Sequence, residues 1–313
     1  MLQGFVPFPP EFAARYRAKG YWRDQSLAQE FDAVFKRFAD RTVLIDGERK
    51  FTYTELDRVT TNLALNLLEI GLKPLDRVVP ALPNVHEFVL LYFALQKIGA
   101  IPIAALVTHR YGEISQFVAL SGATTCVYPE TSGDFSFAPI IDRIQAENKS
   151  LKIRLVLGKP KAGEHSLREL IDRPAKLPAS ELAKIRIDPT DPCIFQLSGG
   201  TTGIPKLIPR TNNDYAYNSK AAASVTEVTA DSVLLLVLPI AHNLPLACPG
   251  IQGFMFHGAK VVLHSNTRPS EMFALIQKHK VTHLKVVPAL LIRLINDPSI
   301  GDYDLSSLKL IQS

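Results

Sequence analysis

From residue 77 onward the chain alternates short apolar runs with amphipathic ones, and no other feature restricts its folds so tightly. Strands are expected at 78–82, 101–105, 124–128 and 153–157, with helices at 84–98, 112–120 and 139–147. After the hydrophilic connection at 158–189, which carries one short helix, the alternation returns: helix 214–225, strand 233–238, helix 246–256, strand 260–264, helix 269–279, strand 282–287, helix 288–295 and strand 308–312. Strands separated by helices pair in parallel, because each crossover lays its helix on a sheet face. The expectation is an α/β chain of two mostly parallel sheets flanked by helices, a first lobe at 1–190 and a second at 191–313. A length of 313 residues with 47% apolar content supplies enough core for both.

The preceding segment reads more locally. Ser26 with Gln29 forms a capping box, followed by one apolar helical face of Leu27, Phe31, Val34, Phe35 and Phe38. Asp46-Gly47 between apolar runs signals a hairpin, and a helix capped by Thr54 and closed by Gly71 comes next. The apolar run 88–107 is about as long as a membrane span, but Gln96, Lys97, Gly99 and Pro102 interrupt it. A buried helix ending at Gly99, then a short strand, explains it instead. The net charge of +5 is spread along the chain, so no nucleic-acid surface is expected, and none is expected for a membrane. Cys126, Cys193 and Cys248 lack metal-ligand spacing, so no protein-held metal is expected; three thiols and no signal peptide suit a reducing cytoplasm.

The chemistry concentrates in Ser198-Gly199-Gly200-Thr201-Thr202-Gly203-Ile204-Pro205-Lys206, a turn between an apolar strand at 193–197 and an extended run at 207–209. Glycines let a backbone approach an anion, hydroxyls and amides donate hydrogen bonds, and lysine adds a point charge. A solvated hairpin tip is the plainer reading of a Gly/Thr cluster; the terminal lysine and buried flanks favour a phosphate cradle. It is not the G-x-x-x-x-G-K-[ST] loop, since counting from Gly200 puts Pro205 at the second glycine and Leu207 at the magnesium-binding hydroxyl.

A second group, Pro239-Ile240-Ala241-His242-Asn243-Leu244-Pro245-Leu246-Ala247-Cys248-Pro249-Gly250, leaves a strand at its carboxyl end, where open α/β sheets bind ligands. Taken alone, His242 reads as a core histidine and Asn243 as a helix cap. Beside a phosphate loop, the pair and its small apolar neighbours suit an aromatic carboxylate.

Residues 198–206 resemble the signature [ST]-G-[GS]-[ST]-T-G-x-P-K of adenylate-forming enzymes. Phe51-Thr52-Tyr53-Thr54-Glu55-Leu56 and the stretch from Ala94 to Pro102 resemble two further shared motifs of that family. Gly4-Phe5-Val6-Pro7-Phe8-Pro9, Lys206-Leu207-Ile208-Pro209-Arg210-Thr211 and His242-Asn243 narrow the resemblance to the stand-alone aryl-acid AMP ligases of siderophore synthesis, for 2,3-dihydroxybenzoate or salicylate. An aryl-CoA ligase is the neighbouring enzymatic reading, and a non-catalytic remnant that binds an aryl acid is the alternative of another class.

The resemblance implies carboxylate attack on the α-phosphate of Mg·ATP (cofactors ATP and Mg2+), then transfer of the aryl group to the phosphopantetheine arm of an aryl carrier protein. It assigns Ser198, Gly199, Gly200, Thr201, Thr202, Gly203 and Lys206 to the phosphates, His242 and Asn243 to the aryl acid, and Cys248 to its ring. In the family the residue matching Asn243 meets the hydroxyl ortho to the carboxylate. Cys248, where dihydroxybenzoate enzymes usually carry serine, tilts the expectation toward salicylate, because a thiol is a weak partner for a 3-hydroxyl. It also implies that the adenine motif, the ribose-holding aspartate, the hinge and the small C-terminal domain with its lysine fall outside these residues. The second lobe is accordingly expected to be incomplete, and the 313-residue chain to adenylate little or nothing by itself.

Overall fold

The computed structural model describes residues 2, 4–198 and 206–313. Two compact units interleave along the chain: Met1–Glu30, Asp57–Pro83 and Glu87–Tyr217 form one, and Phe31–Leu56, Asn84–His86 and Asn218–Ser313 the other. Each is α/β with its own sheet, as the strand and helix alternation implies.

The sheet of the first unit is wholly parallel, in the order Ile101–Pro102, Arg77–Pro80, Thr125–Pro129, Ile153–Leu157, His165–Ser166. Thr125–Pro129 is buried at all five positions, the burial of a strand covered on both faces. Phe117, Phe137, Ile141, Cys126 and Tyr128 fill one side. The apolar run at 88–107 belongs to the helix His86–Ile98, buried at eleven positions, and to the strand after it, with Gly99 at φ 75° reversing the chain between them. No described helix is long and apolar enough to cross a membrane.

The hairpin Pro192–Leu197 with Leu207–Thr211 also sits in this unit. Its first strand continues the sheet at Ile103, which bridges Phe195, and Ala104 N donates to Phe195 O at 2.9 Å. Asn212 Oδ1 accepts from Leu27 N at 2.9 Å and Asn213 Oδ1 from Asp24 N at 3.0 Å, which tie the following turn to the chain's start. The division therefore differs from a single boundary at 190: the hairpin closes the first unit and does not open the second.

The sheet of the second unit runs Leu310–Gln312, His283–Lys285, Val233–Leu236, Lys260–Leu263, Thr42–Asp46, Arg49–Thr52. All neighbours are parallel except the last pair, the hairpin turned at Asp46-Gly47. Its inner strand pairs Leu44 with Val261, so an early segment completes a sheet made mostly of late ones. Ile45, Val262, Leu235, Phe273 and Ile276 pack together on one face.

Local capping follows the sequence in one place and departs in another. Gln29 N donates to Ser26 Oγ at 3.2 Å, and Ser26 N to Gln29 Oε1 at 2.9 Å, starting the helix Leu27–Arg37. The next long helix, Tyr53–Glu69, is capped by Thr52 rather than Thr54: Thr52 Oγ1 accepts from Glu55 N at 3.1 Å while Glu55 Oε2 accepts from Thr52 N at 2.8 Å. Thr54 donates its hydroxyl to Ala39 O. In the stretch expected to hold one helix there are two, Leu167–Asp172 and Ser180–Lys184.

Candidate functional site

In the first unit the hairpin closes at its tip on two facing residues. Ser198 N donates to Lys206 O at 3.1 Å, and Lys206 N donates to Ser198 Oγ at 2.9 Å. This pinch, one register step beyond the pair Leu197 and Leu207, fixes where the intervening segment begins and ends. Because the Ser198 hydroxyl oxygen accepts, its proton stays available to donate. The Lys206 side chain is exposed. Gly199, Gly200, Thr201, Thr202 and Gly203 lie outside the described residues.

In the second unit the site grows from the carboxyl end of Val233–Leu236, buried at all four positions. Asn84 pins the chain as it leaves: its Nδ2 donates to Leu238 O at 2.9 Å and its Oδ1 accepts from Ile240 N at 2.8 Å. His242 N donates to Pro239 O, and His242 O accepts from Leu246 N, so His242 caps the short helix Asn243–Ala247 through its backbone. The imidazole reaches solvent, yet the protein around it withdraws enough hydration to lower its pKa. Lowered from an ordinary value already below neutrality, its neutral form predominates at pH 7.

Asn243 is the first residue of that helix rather than its cap. Its Oδ1 is buried and has no partner among the described residues. An orphaned buried amide oxygen costs about 1–3 kcal/mol, so it marks a place for a donor. Cys248 N donates to Asn243 O at 3.1 Å, ending the helix beside a half-buried thiol. All three cysteines are free.

The single helix expected at 246–256 is broken in two, Asn243–Ala247 and Gly250–Phe256. Pro249 disfavours helical backbone at Cys248 and lacks the N–H to continue the ladder. Cys248 sits at φ −124°, the peptide bond to Pro249 is cis, and Gly250 takes φ 45°. The break leaves the Cys248 carbonyl without a helical partner. Lys285 Nζ supplies one at 2.9 Å, and donates also to Gln312 Oε1 at 2.8 Å. Sequence reasoning passed over Lys285. The signal was a lone lysine inside the apolar strand Leu284-Lys285-Val286-Val287, and in the structure it is only 3% exposed.

The AMP-binding enzyme family matches residues 31–313. Over all of this chain and 56% of its own length, a 2,3-dihydroxybenzoate-AMP ligase of Bacillus subtilis is 36% identical. A salicyl-AMP ligase / salicyl-S-ArCP synthetase of Mycobacterium tuberculosis is 38% identical over 92% of the chain and 51% of its own length. Among solved structures, apo MbtA of Mycobacterium smegmatis superposes with a TM-score of 0.89 at 38% identity, covering 98% of this chain and 55% of that one. The chain thus spans about half the length of these relatives. With the match running over both sheets and both turns, the chain belongs to the AMP-binding enzyme family.

Proposed function

We propose that these residues carry the aryl-acid and phosphate sites of an aryl-acid adenylating enzyme. An aromatic carboxylate attacks the α-phosphate of Mg·ATP, yielding aryl-AMP and pyrophosphate. The aryl group then passes to the phosphopantetheine thiol of an aryl carrier protein. The observation that carries this reading is the orphaned Asn243 Oδ1 in the turn that follows Val233–Leu236. An ortho hydroxyl on the ring is the donor it lacks. Similarity to ligases named for 2,3-dihydroxybenzoate and salicylate supports the same substrate class. ATP supply places the activity in the cytoplasm.

Each turn has a defined task. Ser198, Lys206 and the amides between them hold the β- and γ-phosphates, and the Lys206 ammonium offsets charge as pyrophosphate leaves. His242, chiefly neutral at pH 7, donates its one ring N–H to the aryl carboxylate. Asn243 takes the ortho hydroxyl and Cys248 lines the ring. Catalysis is then chiefly alignment of the carboxylate with phosphorus.

Three substitutions test the assignments on the 313-residue chain by calorimetric titration. Asn243→Ala is expected to weaken salicylate about tenfold and to erase its advantage over benzoate, the worth of one hydrogen bond; an unchanged ratio refutes the role of Asn243. Cys248→Ser is expected to move the balance between 2,3-dihydroxybenzoate and salicylate toward the former by about tenfold. Lys206→Ala is expected to weaken Mg·pyrophosphate about 10- to 100-fold, as for a lost charge-assisted hydrogen bond. Retained affinity would place the phosphates elsewhere.

A further inference from the structure

Lys285 stands directly behind the turn proposed to line the aryl ring. On adjacent parallel strands it pairs in register with Gln312, so both side chains leave the same face of the sheet. Its ammonium carries three N–H groups. Two are used, on Cys248 O at 2.9 Å and Gln312 Oε1 at 2.8 Å, both neutral acceptors. No carboxylate lies within ion-pair distance of Lys285 among the described residues. A lysine 3% exposed with no counter-ion is costly to keep. Its neighbours show the compensation to be incomplete, since burial pulls its pKa down to about 7.

One observation lies on the ligand's side. The same turn presents an unsatisfied acceptor, Asn243 Oδ1, five residues before the carbonyl that Lys285 holds. The turn therefore offers a bare acceptor at one end and an unspent donor at the other. A ring that satisfies both needs a hydroxyl for Asn243 and an atom with a free lone pair for Lys285.

We propose that Lys285 is a specificity-determining residue, and that the aryl acid carries a ring nitrogen which accepts its third N–H. The proposal rests on the aryl-acid reading above and narrows it to hydroxylated pyridine-type carboxylates. A ring nitrogen fits better than a second hydroxyl. A ring nitrogen accepts the N–H without bringing a proton of its own, whereas a second hydroxyl would also need an acceptor for its proton.

The test is a titration of the 313-residue chain with salicylate, with 2,3-dihydroxybenzoate and with the four hydroxypyridine carboxylates in which nitrogen replaces one ring CH of salicylate. At least one of the four is expected to bind about 10- to 100-fold tighter than salicylate, the effect of a hydrogen bond from a charged donor. In Lys285→Met, which keeps the volume, that preference is expected to vanish, the favoured analogue and salicylate then binding alike; circular dichroism and the unfolding midpoint verify that the variant folds. Equal binding of salicylate and all four analogues overturns the role of Lys285 and leaves the aryl-acid reading standing. So does a preference that survives Lys285→Met, or one for 2,3-dihydroxybenzoate. Failure of every aryl acid to bind sinks both.

Discussion

Gly250→Ala is expected to unfold the region around the substrate turn, with a loss of roughly 3 kcal/mol or more. Gly250 sits at φ 45°, a left-handed conformation that L side chains rarely adopt, and space is also lacking. A Cβ there would lie 2.3 Å from Pro245 O, 2.4 Å from Pro245 C and 2.9 Å from Leu244 O. All three are backbone atoms, so no rotamer change relieves the clash. Relief requires the helix Asn243–Ala247 to move, and Asn243 and the Cys248 carbonyl go with it. Denaturant unfolding and aryl-acid titration should therefore fail together. Gly301→Ala, where a Cβ meets nothing within 4 Å, is the control and should cost less than about 0.5 kcal/mol. Equal behaviour of the two variants would show that the turn tolerates rearrangement.

Lys285→Met is expected to remove a pH dependence from the stability of the free chain, gaining on the parent most at low pH. In the unfolded chain this lysine titrates near its ordinary 10.5, and in the folded one at about 7. The folded state therefore binds fewer protons between those values, and stability rises with pH across the interval. Below pH 7 the buried ammonium imposes its whole penalty; above 10.5 it imposes none. The shift corresponds to a ceiling of roughly 4–5 kcal/mol, of which relaxation of the surroundings leaves about 2–4. Cys248 is the ionisable neighbour acting on Lys285, and it opposes the shift. Lys285 in turn helps to lower the pKa of His283, so the variant should let that imidazole titrate slightly higher. The measurement is the difference in unfolding free energy between variant and parent from pH 6 to 10. It should be largest at the acid end and shrink steadily; a constant difference would show that Lys285 is not held in a costly state.

What the sequence made legible was local. Ser26 with Gln29 and Asp46-Gly47 act within a few residues, and both form as their chemistry dictates. The alternation of strands and helices gave two mostly parallel sheets because each helical crossover brings the chain back to pair in parallel. Long-range pairing was hidden. Nothing in Thr42–Asp46 names Lys260–Leu263 as its partner, and the apolar strand Pro192–Leu197 could have opened either sheet. A two-residue period states which face is buried, not against what. Capping slipped from Thr54 to Thr52 because two threonines flank Tyr53 and only one has an acidic residue three positions on that reaches back.

The site was legible in its residues and not in its geometry. Asn243 and Cys248 stand where a ligand-binding turn was expected; the break at Pro249 is local chemistry, but the pairing of the freed Cys248 carbonyl with Lys285 joins residues 37 positions apart. Lys285 escaped notice because a charge in a strand reads as a solvent-facing position; only burial shows otherwise.

The phosphate cradle is probed most directly by amide resonances in the isotopically labelled chain during titration with Mg·pyrophosphate. The amides of Ser198 to Lys206 are expected to show the largest saturable shifts, displaced by ATP and abolished in Lys206→Ala. Saturable binding that leaves those resonances unmoved, with the shifts gathered elsewhere, would contradict the assignment of this turn to the departing phosphates.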